Sequence, residues 1–365
     1  MSGPLLLYTF AGVAVLALAL YDIFTTILHH WGGAGPVSGR IAHELWRLIV
    51  RLTGGVEPGW RRRILGRVGP LLIPATVTFW AGVVILGFAL LYLPRMPRAF
   101  HVDQFVPNFG ALADAFYYSG ITFFTVGYGD IVPLSTGLRM LAMLEGGSGF
   151  ALITLVVGYF TSVYGAYSQQ KSTAASVYYQ AERSADASRL IAQHLTGGSA
   201  STLTGEVGRL RDQLAAIRTD YTNYPILHYF VAAQAEASLA RLLFVTQDLG
   251  ILLDTIIDPQ RCPVAAGLGR RSGLLFAATA VQDGIAETLL RERSRSGEEP
   301  TAEDRDSWVA RFERAQEILR EAGVPLREEP EALQEYCDKR EEWEPVLRAC
   351  TRVLGEEWED VTGHE

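Results

Sequence analysis

The chain has 365 residues, enough for two or three folding units, and is 49% hydrophobic and 20% charged with a net charge of -8. Those averages join two unlike parts: residues 1–172 carry 11 Arg/Lys against 7 Asp/Glu, a charge of +4, and the remainder carries 21 against 33, or -12. Three long apolar runs in the first part exclude an ordinary soluble enzyme, and the acidic second part argues against a nucleic-acid partner.

The first apolar run, residues 5–27, is interrupted only by Asp22 and is long enough to span a bilayer core as a helix. It has neither a basic leader nor a small-residue cleavage site, so it reads as a retained helix and not as a signal peptide. No arginine recurs at every third position in it, so a voltage-sensor helix is not encoded. Asp22 is expected to meet arginines or water at the inner interface.

Residues 31–69 hold Arg40, Arg47, Arg51, Arg61, Arg62, Arg63 and Arg67, most of the positive charge of this part. The positive-inside rule places that connector in the cytoplasm, the amino terminus outside and the acidic tail inside. Ile41, Leu45, Leu48, Ile49 and Leu52 recur at helical spacing opposite Arg40, Arg47 and Arg51. That pattern predicts an amphipathic helix on the inner membrane surface, with a solvated connector as the alternative.

Residues 70–93 form the second span. Residues 94–108 are polar and belong outside, and residues 109–124 are helical in pattern but too short to cross, which predicts a re-entrant helix. Its carboxyl end would point inward and favour a cation below it. The third span, 139–167, has no charged side chain after Glu145.

Directly after the re-entrant helix stands Thr125-Val126-Gly127-Tyr128-Gly129-Asp130. Non-helical backbone at membrane depth is tolerated only where protein buries it or where it lines a water-filled path. The two glycines permit geometry that lets successive carbonyls of Thr125, Val126, Gly127 and Tyr128 face one axis. Four such strands would replace the water shell of a monovalent cation, with the Thr125 hydroxyls as an inner ring and Val126 and Tyr128 packing outward.

This stretch resembles the selectivity filter of the potassium channel pore family, which it matches in full. The resemblance covers residues 70–167, with a looser fit of the first helix to simple bacterial channels. It implies K+ as the transported ion, held through Thr125, Val126, Gly127, Tyr128 and Gly129, with no other cofactor. One filter per chain implies a homotetramer in the lipid bilayer. Where the family often has a pore-helix acid four positions before the threonine, this chain has Ile121. Asp130 is therefore expected to accept a hydrogen bond from Tyr117 or Tyr118. The family's hinge glycine corresponds to Gly149 within Gly146-Gly147-Ser148-Gly149, although close packing explains those glycines equally well. Glu145 is expected to bond behind the filter or to the pore helix, with a cavity-facing role as the alternative. Val157, Thr161 and Gly165 continue the face of Gly149 and are the candidates for cavity wall and inner gate.

The domains expected are a first helix at 1–30, the connector at 31–69, the pore at 70–170, a helical extension at 171–196 that continues the third span to about residue 193, and a helical cytoplasmic domain at 206–365. Residues 197–205 read as a linker. Helical periodicity is expected at 207–221, 226–257, 274–293, 308–322 and 330–354, with loops at 263–272 and 294–304. The whole is thus an all-α membrane protein. Gly267-Leu268-Gly269 lacks the third glycine of a dinucleotide loop, since position 272 is serine. Glu303, Asp304 and Asp306 lack the spacing of a calcium loop. The acids at Glu298 and Glu299, Glu328 and Glu329, and Glu356, Glu357, Glu359 and Asp360 read as solvated surface.

Cys262, Cys337 and Cys350 are scattered, without a CxxC pair, which indicates neither a disulfide scaffold nor a zinc site. The last two read as buried thiols, with redox sensing as the alternative. The tail could bind an unidentified cytoplasmic ligand or regulatory ion. The leading function is passive, selective potassium conduction, which needs no enzymatic chemistry. A potassium-uptake transporter subunit and a membrane receptor built on a channel scaffold are the alternatives.

Overall fold

The computed structural model describes residues 3–28, 35–103, 110–196, 200–232, 234–290, 299–327 and 330–363. Parts of four expected loops (31–34, 104–108, 197–199 and 294–298) lie outside them, as do Phe109 at the head of the re-entrant segment, helix-end residues 291–293, and Glu328 and Glu329. The chain divides into two compact units, residues 1–44 with 71–163 and residues 45–70 with 164–365.

Among the described residues, three helices are long and apolar enough to cross a membrane: Leu5–Ile27, Gly59–Arg95 and Thr136–Gln180. They belong to α1 (Gly3–Ile27), α3 (Pro58–Tyr92) and α5 (Thr136–Gln180). Both α3 and α5 extend well beyond their apolar runs, because polar helix formers continue the hydrogen-bond ladder at little cost. A short helix, α2 (Ser38–Leu52), lies between the first two spans. On it Ile41, Leu45, Leu48 and Leu52 are exposed while Trp46 is buried.

In the first unit, α1 packs against α3 through glycine. A Cβ on Gly12 would lie 2.8 Å from the Gly87 carbonyl oxygen, and one on Gly87 would lie 2.7 Å from Leu16. Small residues let helix backbones approach where lipid gives no hydrophobic drive. Asp22, 1% exposed, has no arginine in ion-pair contact among the described residues. Its carboxylate accepts hydrogen bonds from Trp80 Nε1 at 2.7 Å, from Val37 N at 2.8 Å and from Ser38 N at 3.2 Å. The amides at the start of α2 have no partner within the helix, so the carboxylate of α1 serves them and their positive dipole end as well.

The segment between α3 and α5 contains a short strand pairing that the sequence pattern does not predict. Strand β1 (Phe100–Val102) lies antiparallel to β2 (Ile131–Pro133), with Phe100 opposite Pro133, His101 opposite Val132 and Val102 opposite Ile131. Three residues per strand leave no alternation to detect from sequence.

The second unit is helical: α6 (Ala187–Thr196), α7 (Ala200–Asn223), α8 (Leu239–Thr255), α9 (Leu268–Arg271), α10 (Leu274–Leu289), α11 (Ala302–Glu321), α12 (Glu331–Leu354) and α13 (Trp358–Thr362). Several expected boundaries move. The third span does not run on to residue 193, because the chain turns at Glu182 and Arg183, whose φ values are +55° and +64°. Asp186 then starts α6 by accepting from Ser188 N at 3.0 Å. Most of the expected 197–205 linker is helix, since α7 begins at Ala200. Burial of Leu203, Val207, Leu210, Leu214, Ile217 and Tyr221 along one face overrides the weak propensity of its first turn. The expected helix at 226–257 starts only at Leu239, where the Ser238 hydroxyl caps Arg241 N at 3.1 Å. The 263–272 and 294–304 loops are likewise shortened by α9 and by α11, whose Thr301–Asp304 capping box fixes its start.

Glu356, read as surface, is 5% exposed. It pairs with the Ser238 hydroxyl and lies 3.6 Å from Arg62 Nη2. Arg62 also donates to the carbonyls of Ala232 and Gln234, at 2.9 and 3.3 Å. The base of α3 is thereby tied to the chain on either side of α8. Cys350 is fully buried, and burial pushes its thiol up to about 12, which removes the thiolate that redox sensing needs.

His228 is buried against Tyr221, with Nδ1 2.9 Å from the Pro225 carbonyl and Nε2 3.2 Å from the Thr288 hydroxyl. Burial, with a smaller contribution from Arg218, pushes its imidazole down to about 4. Between the ordinary value near 6.5 and that value, the unfolded chain holds the proton that the folded chain refuses. Stability therefore falls as pH drops through this window, by about 3 kcal/mol in all. The expected result is that His228→Gln flattens this part of the pH dependence in urea unfolding measured from neutral pH to about pH 4.5.

Candidate functional site

The short helix α4 (Ala111–Phe123) carries the site. It lies among the spans through Glu145 of α5, which is fully buried. The Glu145 carboxyl accepts from Tyr92 OH at 2.8 Å and pairs with the Ser119 hydroxyl, which is also 2.8 Å from the Ile85 carbonyl. One side chain of the inner helix thus joins the outer helix and the short helix. Tyr92, Phe100 and Tyr118 pack edge to face, with ring centroids 5.0 to 5.8 Å apart, and fasten β1 to the same place.

Gly149 of α5 makes the second fixed contact. A Cβ there would lie 2.1 Å from the Phe123 carbonyl oxygen, so the inner helix touches the end of α4 backbone to backbone. Of the two readings of the glycine run, close packing has this direct contact behind it. The helix continues unbroken through Gly146, Gly147, Ser148 and Gly149.

The chain leaves α4 by folding back on it. Val126 N and Gly127 N both donate to the Ile121 carbonyl, at 2.8 and 3.2 Å, and Thr125 N donates to Thr122 at 3.0 Å. Ile121 has no carboxylate to offer, yet its backbone oxygen holds two amides of the motif. With the amides of Thr125, Val126 and Gly127 turned back to the helix, the carbonyls there are left as the polar face. Thr125, Gly127 and Gly129 have φ of +57°, +53° and +80°, while Val126 and Tyr128 do not have positive φ. An ordinary strand sends successive carbonyls to opposite sides, whereas alternation of φ sign turns them to one side. Threonine in the left-handed region is strained by about 1–3 kcal/mol, and such strain persists only where the surroundings fix it.

Asp130 closes the segment. Its carboxylate accepts from Tyr117 OH at 2.7 Å and from Ile131 N at 3.0 Å, and its carbonyl accepts from Asp103 N at 2.8 Å. Of the two tyrosines expected as donors, Tyr117 makes this bond and Tyr118 sits in the aromatic cluster. Val126 and Tyr128 are 50% and 72% exposed in the single chain, although both are large and apolar in character. Lower on α5, Val157, Thr161 and Gly165 are exposed along one stripe, and Thr161 Oγ1 returns to the Val157 carbonyl at 2.9 Å. Tyr92 and Ser119 were not singled out from sequence. The signal for Tyr92 was there, since it is the one ionisable side chain in the 70–93 run.

The geometry of a short helix, a folded-back glycine motif and two flanking spans has a family counterpart. Residues 76–166 match the family described as Ion channel. The matched part is a quarter of the chain and includes all of α4, the motif and α5 as far as Ala166. The protein is an all-α membrane protein, one segment of which is similar to ion channels. One relative agrees with the membrane setting. The chain is 25% identical over 231 residues to the uncharacterized membrane protein YdjJ of Bacillus subtilis, an alignment covering 63% of this chain and 65% of that one. Protein LctB of Geobacillus stearothermophilus is 34% identical over 84 residues, covering 21% of this chain and 62% of LctB. Protein LctB of Bacillus caldotenax is 32% identical over the same length. The chain therefore spans just under two thirds of each relative's length. No solved structure matches.

Proposed function

We propose that the protein is a potassium-selective channel in which four copies each contribute one filter strand. The observation that carries this reading is the alternation of φ sign through Thr125, Gly127 and Gly129, with the amides of Val126 and Gly127 tied back to the Ile121 carbonyl. In a four-fold arrangement the carbonyls of Thr125, Val126, Gly127 and Tyr128 stack as rings around one axis, with the Thr125 hydroxyls below them. Such rings stand in for the hydration shell of K+. Val126 and Tyr128 are then covered by neighbouring subunits, which accounts for their exposure in one chain. Tyr117, through Asp130, and Glu145, through Tyr92 and Ser119, hold the strand and its helix in position. Val157, Thr161 and Gly165 line the cavity and inner gate.

The arginine-rich connector places α2 on the cytoplasmic face of the cell membrane, with Ile41, Leu45, Leu48 and Leu52 toward lipid. The amino terminus is outside and the second unit is cytoplasmic. No S4-type sensor takes part in gating. The test is native mass measurement combined with ion flux into proteoliposomes. Particles of four chains that admit potassium and exclude sodium support the reading. A monomeric particle, or equal flux of the two ions, contradicts it.

The Glu145 link gives a further expected result. Glu145→Ala leaves the buried Tyr92 hydroxyl without its acceptor, leaves Ser119 with the Ile85 carbonyl alone, and opens a void, at a cost of about 2–5 kcal/mol. Glu145→Gln keeps an acceptor and loses much less. Thermal stability of the purified assembly, compared across the two variants, checks the order.

A further inference from the structure

We infer that α2 and the base of α3 form a binding surface for anionic phospholipids, a reading that rests on the placement of α2 at the membrane surface proposed above. Arg51 and Arg67 meet the lipid headgroups, and Leu45, Leu48 and Leu52 enter the acyl layer. All five residues belong to the second unit.

One residue brings the middle of α2 beside the start of the second span. Trp46 packs against Tyr229, with ring centroids 5.6 Å apart, and a Cβ on Gly69 would lie 2.6 Å from the Tyr229 carbonyl oxygen. Gly69 immediately precedes the apolar run at 70–93. While Trp46 is buried on the protein side of α2, Leu45, Leu48 and Leu52 are 37%, 51% and 71% exposed along one stripe. Arg47 and Arg51 border that stripe one turn apart, and Arg51 is exposed.

The arginines of α3 divide by face. Arg61 donates to the Arg352 carbonyl at 3.1 Å, and Arg62 is held by the carbonyls of Ala232 and Gln234 and by Glu356, so both serve the protein. Arg63 and Arg67 point away from those contacts and are exposed, with Arg63 over the ring of Trp60 at 5.2 Å. Among the described residues, none of Arg51, Arg63 and Arg67 has a carboxylate partner. Arg67 lies about 4.5 Å along the helix from Pro70, which puts it in the polar layer, about 5–7 Å thick, that borders the hydrocarbon on each side. The fixed anions of that layer are lipid phosphates, which a guanidinium binds through paired N–H groups. Residues 40–67 hold seven arginines against Glu44 and Glu57. A choline headgroup cancels the charge of its own phosphate, so this positive surplus favours lipids of net negative charge, by about fivefold for each arginine near the surface.

The experiment is photo-cross-linking of the full-length protein in phosphatidylcholine vesicles, with mass-spectrometric mapping of the labelled residues. The probes, added separately at low mole fraction, are phosphatidylglycerol and phosphatidylcholine that carry the same diazirine acyl chain. The expected result is labelling of residues 45–52 at least about fivefold stronger from phosphatidylglycerol. That preference should vanish when Arg51→Gln and Arg67→Gln are combined, and persist when Arg51→Lys and Arg67→Lys are combined, because lysine keeps the charge. Equal labelling of 45–52 by the two lipids, or a preference that the glutamine pair leaves intact, overturns the inference and leaves α2 on the membrane. Labelling of the spans with none at 45–52 from either lipid takes α2 off the membrane and overturns the placement as well. No current is read, so the outcome is independent of whether the pore conducts potassium.

Discussion

Gly127→Ala is expected to abolish potassium-selective flux. At φ of +53° an alanine Cβ crowds the following carbonyl, at about 1–2 kcal/mol per residue. Four copies around one axis bring this to about 4–8 kcal/mol, on the order of a thousandfold or more in the population of the aligned filter. Within one chain there is open space around the position, so the strain there is the backbone's own. Gly137→Ala is the matched control, because Gly137 sits in α5 with equally open surroundings and without positive φ. It should leave flux unchanged. Tracer uptake into proteoliposomes checks both, and selective flux through the Gly127→Ala variant would show that the left-handed geometry is not the conducting one.

The second large effect is expected in the second unit. Arg340 is 1% exposed and binds the carboxylates of Asp248 and Glu344, with Tyr336 OH at 2.6 Å. Its guanidinium also lies over the rings of Phe244 and Trp343, each 5.1 Å away. Asp248 accepts from Tyr336 OH at 2.7 Å, and Glu344 accepts from Trp308 Nε1 at 2.9 Å. Burial raises the Asp248 carboxyl above its ordinary value, and Arg340 is the largest opposing influence. Arg340→Ala leaves two buried acids without their shared cation, so it should cost about 3–5 kcal/mol. Combining Arg340→Met with Asp248→Asn should recover part of that loss, since one uncompensated charge is then gone. Chemical denaturation of the unit, with recovery in the double variant, measures the effect. A loss below about 1 kcal/mol would place the network among the marginal ion pairs.

The pore was the most legible part of the chain. The TVGYGD motif and its flanking spans carry their information in local order, and the family match at 76–166 falls inside the 70–167 stretch read from them. The supports of the motif were less legible because they join distant residues. The partners of Asp22 are Trp80 and the amides of Val37 and Ser38, and the partners of Glu145 are Tyr92 and Ser119. Nothing in the spacing of those residues marks them as pairs. In the second unit, periodicity found the helices but misplaced several ends. The turn at Glu182 and Arg183 lacks glycine or proline, and the first turn of α7 is helical because of what its later residues bury. Glu356 looked like one more surface acid because its cation, Arg62, is far away in sequence.

The central claim is that the alternating backbone of residues 125–129 selects potassium. The most direct measurement is the current reversal potential of the purified protein in a planar bilayer with potassium on one side and sodium on the other. A reversal displaced strongly toward the potassium equilibrium potential is the predicted result. A robust current reversing near zero would contradict it, because carbonyl rings that hold K+ in place of water cannot pass the two ions alike.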